Sequence, residues 1–218
     1  MALLASDKGG GDFEPIPEGI HPAVCYGVYD LGNQWSEGSK EGKSWAKWTQ
    51  KVLIQWELPL QRIEYEGEDR PKATSRIFTL SLDKKSNLRP FLQGWRGKSF
   101  TVEELEGFDI SKLLGVNCQL QIIHAVVGDN TYANIQAAIP ATKKYTPENQ
   151  TILFAIEDTV IPEGTPEWIA NKIMESKEWG DREEISDEPS KYGPRDDFPG
   201  PSDDEFGGYT DEDEPPPF

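Results

Sequence analysis

NCQLQIIHAVV (117–127), GDN (128–130), TYANIQAAI (131–139): two apolar, β-branched runs flank a Gly-Asp-Asn turn, the pattern of an antiparallel hairpin. The stretches upstream extend the same theme. GIHPAVCYGVYDLG (19–32) is β-rich and interrupted by Pro22. WTQKVLIQWEL (48–58) alternates, placing Trp48, Val52, Ile54 and Trp56 on one face and Thr49, Lys51 and Gln55 on the other, with Lys47 continuing that second face. TSRIFTLSL (74–82) reads as a third strand and TILFAI (151–156) as a further short one.

Helical signals are few. Asp83 or Ser86 offers a cap for a turn through NLRPFLQGW, where Pro90 is tolerated only near the start. Thr101-Val102-Glu103-Glu104 has the form of a capping box, and Asp109 or Ser111 can cap a turn through Leu113. Pro166 opens a helix running to about Lys177. The chain is therefore expected to be mainly β: a five-stranded, OB-fold-like antiparallel barrel with short helices, the 83–114 segment connecting the third and fourth strands. A jelly roll or an open sandwich shares the strand pattern, because pattern alone does not give strand order.

Charge divides the 218 residues unevenly. The net charge is −17, and −12 of it falls in 178–218, which holds fifteen acids and three basic residues. That segment is rich in Pro, Gly and Ser and poor in aliphatic side chains, so it cannot offset an ordering cost of roughly 1–2 kcal/mol per residue. It is expected to be a disordered acidic tail. Residues 1–17 read as a flexible N-terminal arm and 18–177 as the folded domain.

Within this acidic protein, residues 40–98 are basic, with thirteen Lys or Arg against seven acids, and rich in aromatics. In EGKSWAKWTQK (41–51), Lys43, Lys47 and Lys51 interleave with Trp45 and Trp48. By strand parity Trp45, Lys47 and Lys51 face solvent, while Trp48 and Trp56 are expected in the core. Cations for phosphates beside aromatic faces for unstacked bases is the mixture single-stranded nucleic acid requires. Arg76, Phe78, Lys84 and Lys85 can extend this surface, and Tyr132, Lys143 and Lys144 form a second group. Taken one at a time, each lysine is equally well read as a solubilising charge. The Gly- and Ser-rich NQWSEGSKEGK (33–43) is expected to be a mobile loop beside the sheet.

The chain ends DEDEPPPF (211–218). Acids are drawn to a basic patch over distance, three prolines favour an extended conformation, and a terminal Phe can fill an apolar pocket. This ending resembles the C-terminal tips of single-stranded DNA-binding proteins, bacterial and phage, and the unfamiliar body makes the phage type the better match. The resemblance covers about eight residues, Asp211, Glu212, Asp213, Glu214, Pro217 and Phe218 among them, with the final Pro-Phe its most specific part. It implies a barrel that binds single-stranded DNA in replication, recombination or repair, and a tip that recruits replication or repair proteins. No DNA-contact residue carries over from it.

Catalytic motifs are missing from the sequence: there is no Walker loop, HExxH or GxSxG. His21 precedes a proline, and His124 lies on a strand face with Leu120, Ile122 and Val126, the setting of a core or edge histidine. Two histidines and two distant cysteines, Cys25 and Cys118, do not make a zinc site, and no cofactor is expected. With no apolar run of membrane length and no signal-peptide pattern in MALLASDKGGGD, reduced thiols and a cytoplasmic location are expected. The expectation is thus a non-enzymatic single-stranded DNA-binding protein, possible homo-oligomer included. The alternative is an acidic interaction protein, a DNA mimic or adaptor, whose body never touches DNA; a phage structural protein with a β-sandwich body is a weaker third.

Overall fold

The structure is a computed structural model that describes residues 14–40, 43–65, 67–128 and 130–183. Asp211, Glu212, Asp213, Glu214, Pro217 and Phe218 lie outside the described residues, as do residues 1–13. The strands are β1 (Gly19–Lys40), β2 (Lys43–Tyr65), β3 (Glu68–Thr79), β4 (Asn117–Val127), β5 (Asn130–Pro140) and β6 (Ile152–Phe154). The helices are α1 (Leu88–Arg96), α2 (Val102–Glu106), α3 (Glu167–Met174) and α4 (Lys177–Glu183), with a 3-10 turn at Ile110–Leu113.

All six strands belong to one sheet in the order β3-β2-β1-β4-β5, with β6 beside β1. β4 pairs antiparallel with β1 (Ala23↔Cys118) and β6 pairs parallel with it farther along (Gly27↔Ile152). The hairpin read from 117–139 is present, with Leu120 opposite Ala138, Ile122 opposite Ile135, and a bulge at Gln121/Ile122. The path ends at β3 and β5, so this is a mainly antiparallel six-stranded sheet and not the closed five-stranded barrel that was expected.

Two compact units divide the chain, and β1, β2 and β3 each run from one into the other. The first comprises the described part of Met1–Tyr26, with Gln55–Arg76 and Phe91–Thr151. Its core is aromatic: Trp56 packs at 5.5 Å from Trp95 and 5.8 Å from Phe91. Trp95 Nε1 donates to Asn117 O, so the one polar atom of that ring is satisfied. Arg76 of β3 donates to the Ile135 carbonyl of β5 at 2.7 Å and lies against the Phe91 ring. A side chain therefore joins the two ends of the strand path. Cys25 and Cys118 are buried thiols not joined in a disulfide, and burial holds the Cys118 thiol well above its ordinary pKa.

The second unit comprises Gly27–Ile54, Ile77–Pro90 and the described part of Ile152–Phe218. Tyr29, Leu31, Leu53, Ile152, Phe154, Ile156, Ile169 and Ile173 form its core, with Trp179 packed against it. Residues 178–183, given to the acidic tail by composition, belong to helix α4. The reason is local. Glu178 accepts hydrogen bonds from the backbone and side chain of Asn33, and Trp179 packs at 6.5 Å from Phe154. Gly32 permits the approach: its φ is +65°, and a Cβ there would stand 2.7 Å from Glu178 Oε2 and 2.9 Å from Ser176 Cβ.

Candidate nucleic-acid interface

β1 and β2 are 22 and 23 residues long, against about 5–6 for an ordinary strand. The stretch expected to be a mobile loop, 33–43, is for its described part strand. β3 ends at Thr79, and the bond from Leu80 N to Gln50 O marks where it leaves β2. Beyond that point the described side chains of β2 are exposed or half-buried on both faces through Lys43, whereas Val52–Leu58 is buried on both faces. The alternation seen in 48–58 is therefore not an inside–outside alternation. It is the seam between a solvated two-stranded arm and a doubly covered strand, which is why Trp48, expected in the core, is 42% exposed while Trp56 is fully buried.

The arm has two unlike faces. Successive side chains alternate, so Lys43, Trp45, Lys47, Thr49 and Lys51 share one face, while Ser44, Ala46, Trp48 and Gln50 share the other. On the first, the Lys47 ammonium lies over the Trp45 ring, 5.7 Å from its centroid. This is an exposed cation–π contact worth about 0.5–1 kcal/mol. On the second, Trp48 meets Trp35 of β1 edge-on at 5.3 Å, and Trp35 Nε1 points to Glu37. Trp35 is 52% exposed and was not among the candidate residues. Its signal was a tryptophan flanked by small polar residues, which reads as loop until the partner strand is known.

Trp45 also touches β1. Its Cζ2, Cε2 and Nε1 atoms would stand 2.7, 2.9 and 3.2 Å from a Cβ on Gly38. The rim of the indole thus lies over the bare α-carbon of Gly38, and the ring is 43% exposed. The hollow between them is lined by Glu37, Gly38, Ser39, Ser44, Trp45 and Ala46.

The other candidates separate. Lys84 and Lys85 are exposed in the loop after β3, where Asp83 caps the turn by accepting from Lys85 N. Phe78 is 3% exposed and belongs to the core, so it has no ring face for a base. Arg76 is engaged by the Ile135 carbonyl and Phe91, and burial lowers its pKa; its role is in packing. These two candidates are corrected by their surroundings. Tyr132 is half-buried on β5 opposite Ala125. Lys143 and Lys144 are exposed and border a hollow with Gly115, Val116 and Asn117. Asn117 fixes that loop by accepting from Tyr145 N and donating to Tyr145 O. Arg76, Tyr132, Lys143 and Lys144 belong to the first unit, and the arm with Lys84 and Lys85 to the second.

His124 Nε2 donates to Ile16 O and His21 Nε2 donates to Pro17 O, so each half-buried ring is satisfied by a backbone carbonyl. Among the described residues no group of three or more His, Cys, Asp or Glu is placed to hold a metal ion, and no helix is long and apolar enough to cross a membrane. No protein-family model matches the chain, and neither a curated protein nor a solved structure does.

Proposed function

We propose that this chain is a non-enzymatic single-stranded DNA-binding protein that grips unpaired strands, without sequence preference, on the lysine-bearing face of the β1–β2 arm. The observation that carries the reading is the exposed Trp45 ring with the Lys47 ammonium beside it, between Lys43 and Lys51 on the same strand face. Phosphates take the ammoniums, and a base takes the ring, at about 1–3 kcal/mol per stacked base. Alternating chemistry on one strand face suits a repeating ligand that also alternates phosphate and base.

The strand order supports an OB-like architecture. An order of β3-β2-β1-β4-β5, with α1 and α2 between β3 and β4, is that of a five-stranded Greek-key barrel opened between β3 and β5, and OB folds are known as partly open barrels. The β1–β2 and β4–β5 connections are the places where such folds engage oligonucleotides. The acidic tip, Asp211 to Phe218, then recruits replication or repair proteins, and a phage or prophage setting in the host cytoplasm fits the resemblance of that tip.

Titration with oligo(dT) at low salt, followed by tryptophan emission, tests the function. Binding should quench the emission and weaken steeply as salt rises. No quenching and no retardation of oligo(dT) at low salt, together with retained binding to a basic protein, would instead select the acidic-adaptor reading.

A further inference from the structure

We infer that Gly38 is a positioning residue that turns Trp45 into a pre-ordered platform for an unpaired base; this rests on the proposed DNA binding and deepens it. Trp45 projects from a strand with solvent on both faces, and a side chain so placed samples several staggered rotamers. A free indole would be a poor stacking site, because ordering it on binding costs rotamer entropy. Gly38 removes that freedom. With no Cβ on Gly38, the Nε1–Cε2–Cζ2 rim of the ring lies directly on the β1 backbone. Any other residue would place a Cβ at 2.7 Å from Cζ2, closer than carbon atoms approach without contact, and the ring would have to swing out.

The seated rim has a consequence for the ligand. With its rim seated on the backbone, the ring is already ordered when a base arrives and presents its exposed surface for stacking. Lys47 reaches the same ring from its own strand face. A phosphate of the incoming strand competes with the ring for that ammonium, so the contact that caps Trp45 is exchanged for a phosphate contact as the base arrives. The site therefore takes a base and its phosphate from an unpaired strand, and the glycine decides whether the platform is ready.

The test uses the full chain with Gly38→Val, Trp45→Ala and the double variant. The probes are oligo(dT) and an abasic sugar–phosphate oligomer of equal length. Valine suits an exposed strand, so folding is retained and is checked by far-UV circular dichroism. Trp45→Ala should weaken oligo(dT) binding roughly 5- to 150-fold. Gly38→Val should weaken it to a similar extent, leave the abasic oligomer and the salt slope unchanged, and add nothing in the Trp45→Ala background. Wild-type affinity in Gly38→Val beside a weak Trp45→Ala overturns the role of Gly38. So does a Gly38→Val loss that persists without Trp45, or a Trp45→Ala variant that binds as the wild type does. A wild-type chain that binds neither oligomer removes the DNA-binding reading itself, an outcome distinct from these.

Discussion

The Glu57 carboxylate, fully buried on β2, is held by Asn149 twice: from the backbone N–H at 2.9 Å and from the side-chain Nδ2 at 2.7 Å. A third bond comes from Glu148 N–H at 2.8 Å. An acid at that depth persists because its oxygens are saturated by donors. It clamps the segment before β6 onto β2 within the first unit. Glu57→Ala should cost about 3–5 kcal/mol, since it leaves three part-buried N–H donors without their acceptor. Glu57→Gln keeps one acceptor oxygen and should cost less. Urea unfolding midpoints measure both, and an alanine variant within about 0.5 kcal/mol of wild type would remove the clamp.

The element pattern was legible where it is local. Thr101 and Glu104 close the capping box that starts α2, Asp109 caps the 3-10 turn, and Pro90 lies in the first turn of α1. The hairpin around Gly128 was legible because turn chemistry and β-branched runs coincide. What sequence could not give was tertiary coverage. Val52–Leu58 is buried on both faces and Lys43–Trp48 exposed on both, yet both stretches are strand, and only neighbouring elements set the difference. The same blindness put Trp48 in the core and Phe78 on the surface. Of the candidate interface, the lysines and Trp45 were readable from composition and parity. Trp35 and Gly38 were not, because their parts depend on which residues β2 brings across to them.

Arg76 joins β3 to β5 through the Ile135 carbonyl, and its planar fork and stacking on Phe91 have no equivalent in lysine. Arg76→Met keeps much of the packing and loses the hydrogen bond, leaving the carbonyl without this donor. A loss of about 1–3 kcal/mol in denaturant unfolding is expected, with Arg76→Lys intermediate. Oligo(dT) affinity, measured well below the melting temperature, should change less than about twofold, because the guanidinium faces protein. A large affinity loss at unchanged stability would return Arg76 to the interface.

Asp30 and Glu178, neighbours in charge within the second unit, should titrate in opposite directions. Burial raises the Asp30 pKa, against hydrogen bonds from Gly32 N–H and Gln50, and the charges of Glu157 and Glu178 add to the rise. Its proton is held more tightly in the folded state, so ionisation destabilises the fold. Stability falls as pH rises from the ordinary aspartate value to the raised one. Asp30→Asn should therefore gain on wild type across that window and then hold a constant lead. At Glu178 burial also pushes upward, but the bonds from Asn33 backbone and side chain, with its own backbone N–H and the Lys177 charge, together outweigh it, and the pKa is lowered. That contribution is present above the ordinary glutamate value and is lost as pH falls through the depressed one. Glu178→Gln should trail wild type at neutral pH and converge on it in acid. Urea unfolding of the three proteins between about pH 3 and pH 7 checks both signs.

The lysine face of the arm makes a prediction that separates charge from stacking. Each ammonium that meets a phosphate releases condensed counterions, and for single strands the slope of log affinity against log salt is about −0.7 per contact. Lys43 and Lys47 share the Trp45 face, so Lys43→Gln/Lys47→Gln should flatten the slope by about 1.4 and weaken binding most at low salt. Trp45→Phe should do the reverse: lower affinity by a constant factor at every salt concentration, with the slope intact. Trp48→Phe tests which face is used, because Trp48 points away from the lysines and toward Trp35. If DNA follows the lysines, Trp48→Phe leaves the affinity unchanged and removes little of the quenching, whereas Trp45→Phe abolishes most of it. Quenching carried by Trp48, with a slope indifferent to Lys43 and Lys47, would place the strand on the opposite face and refute the assignment.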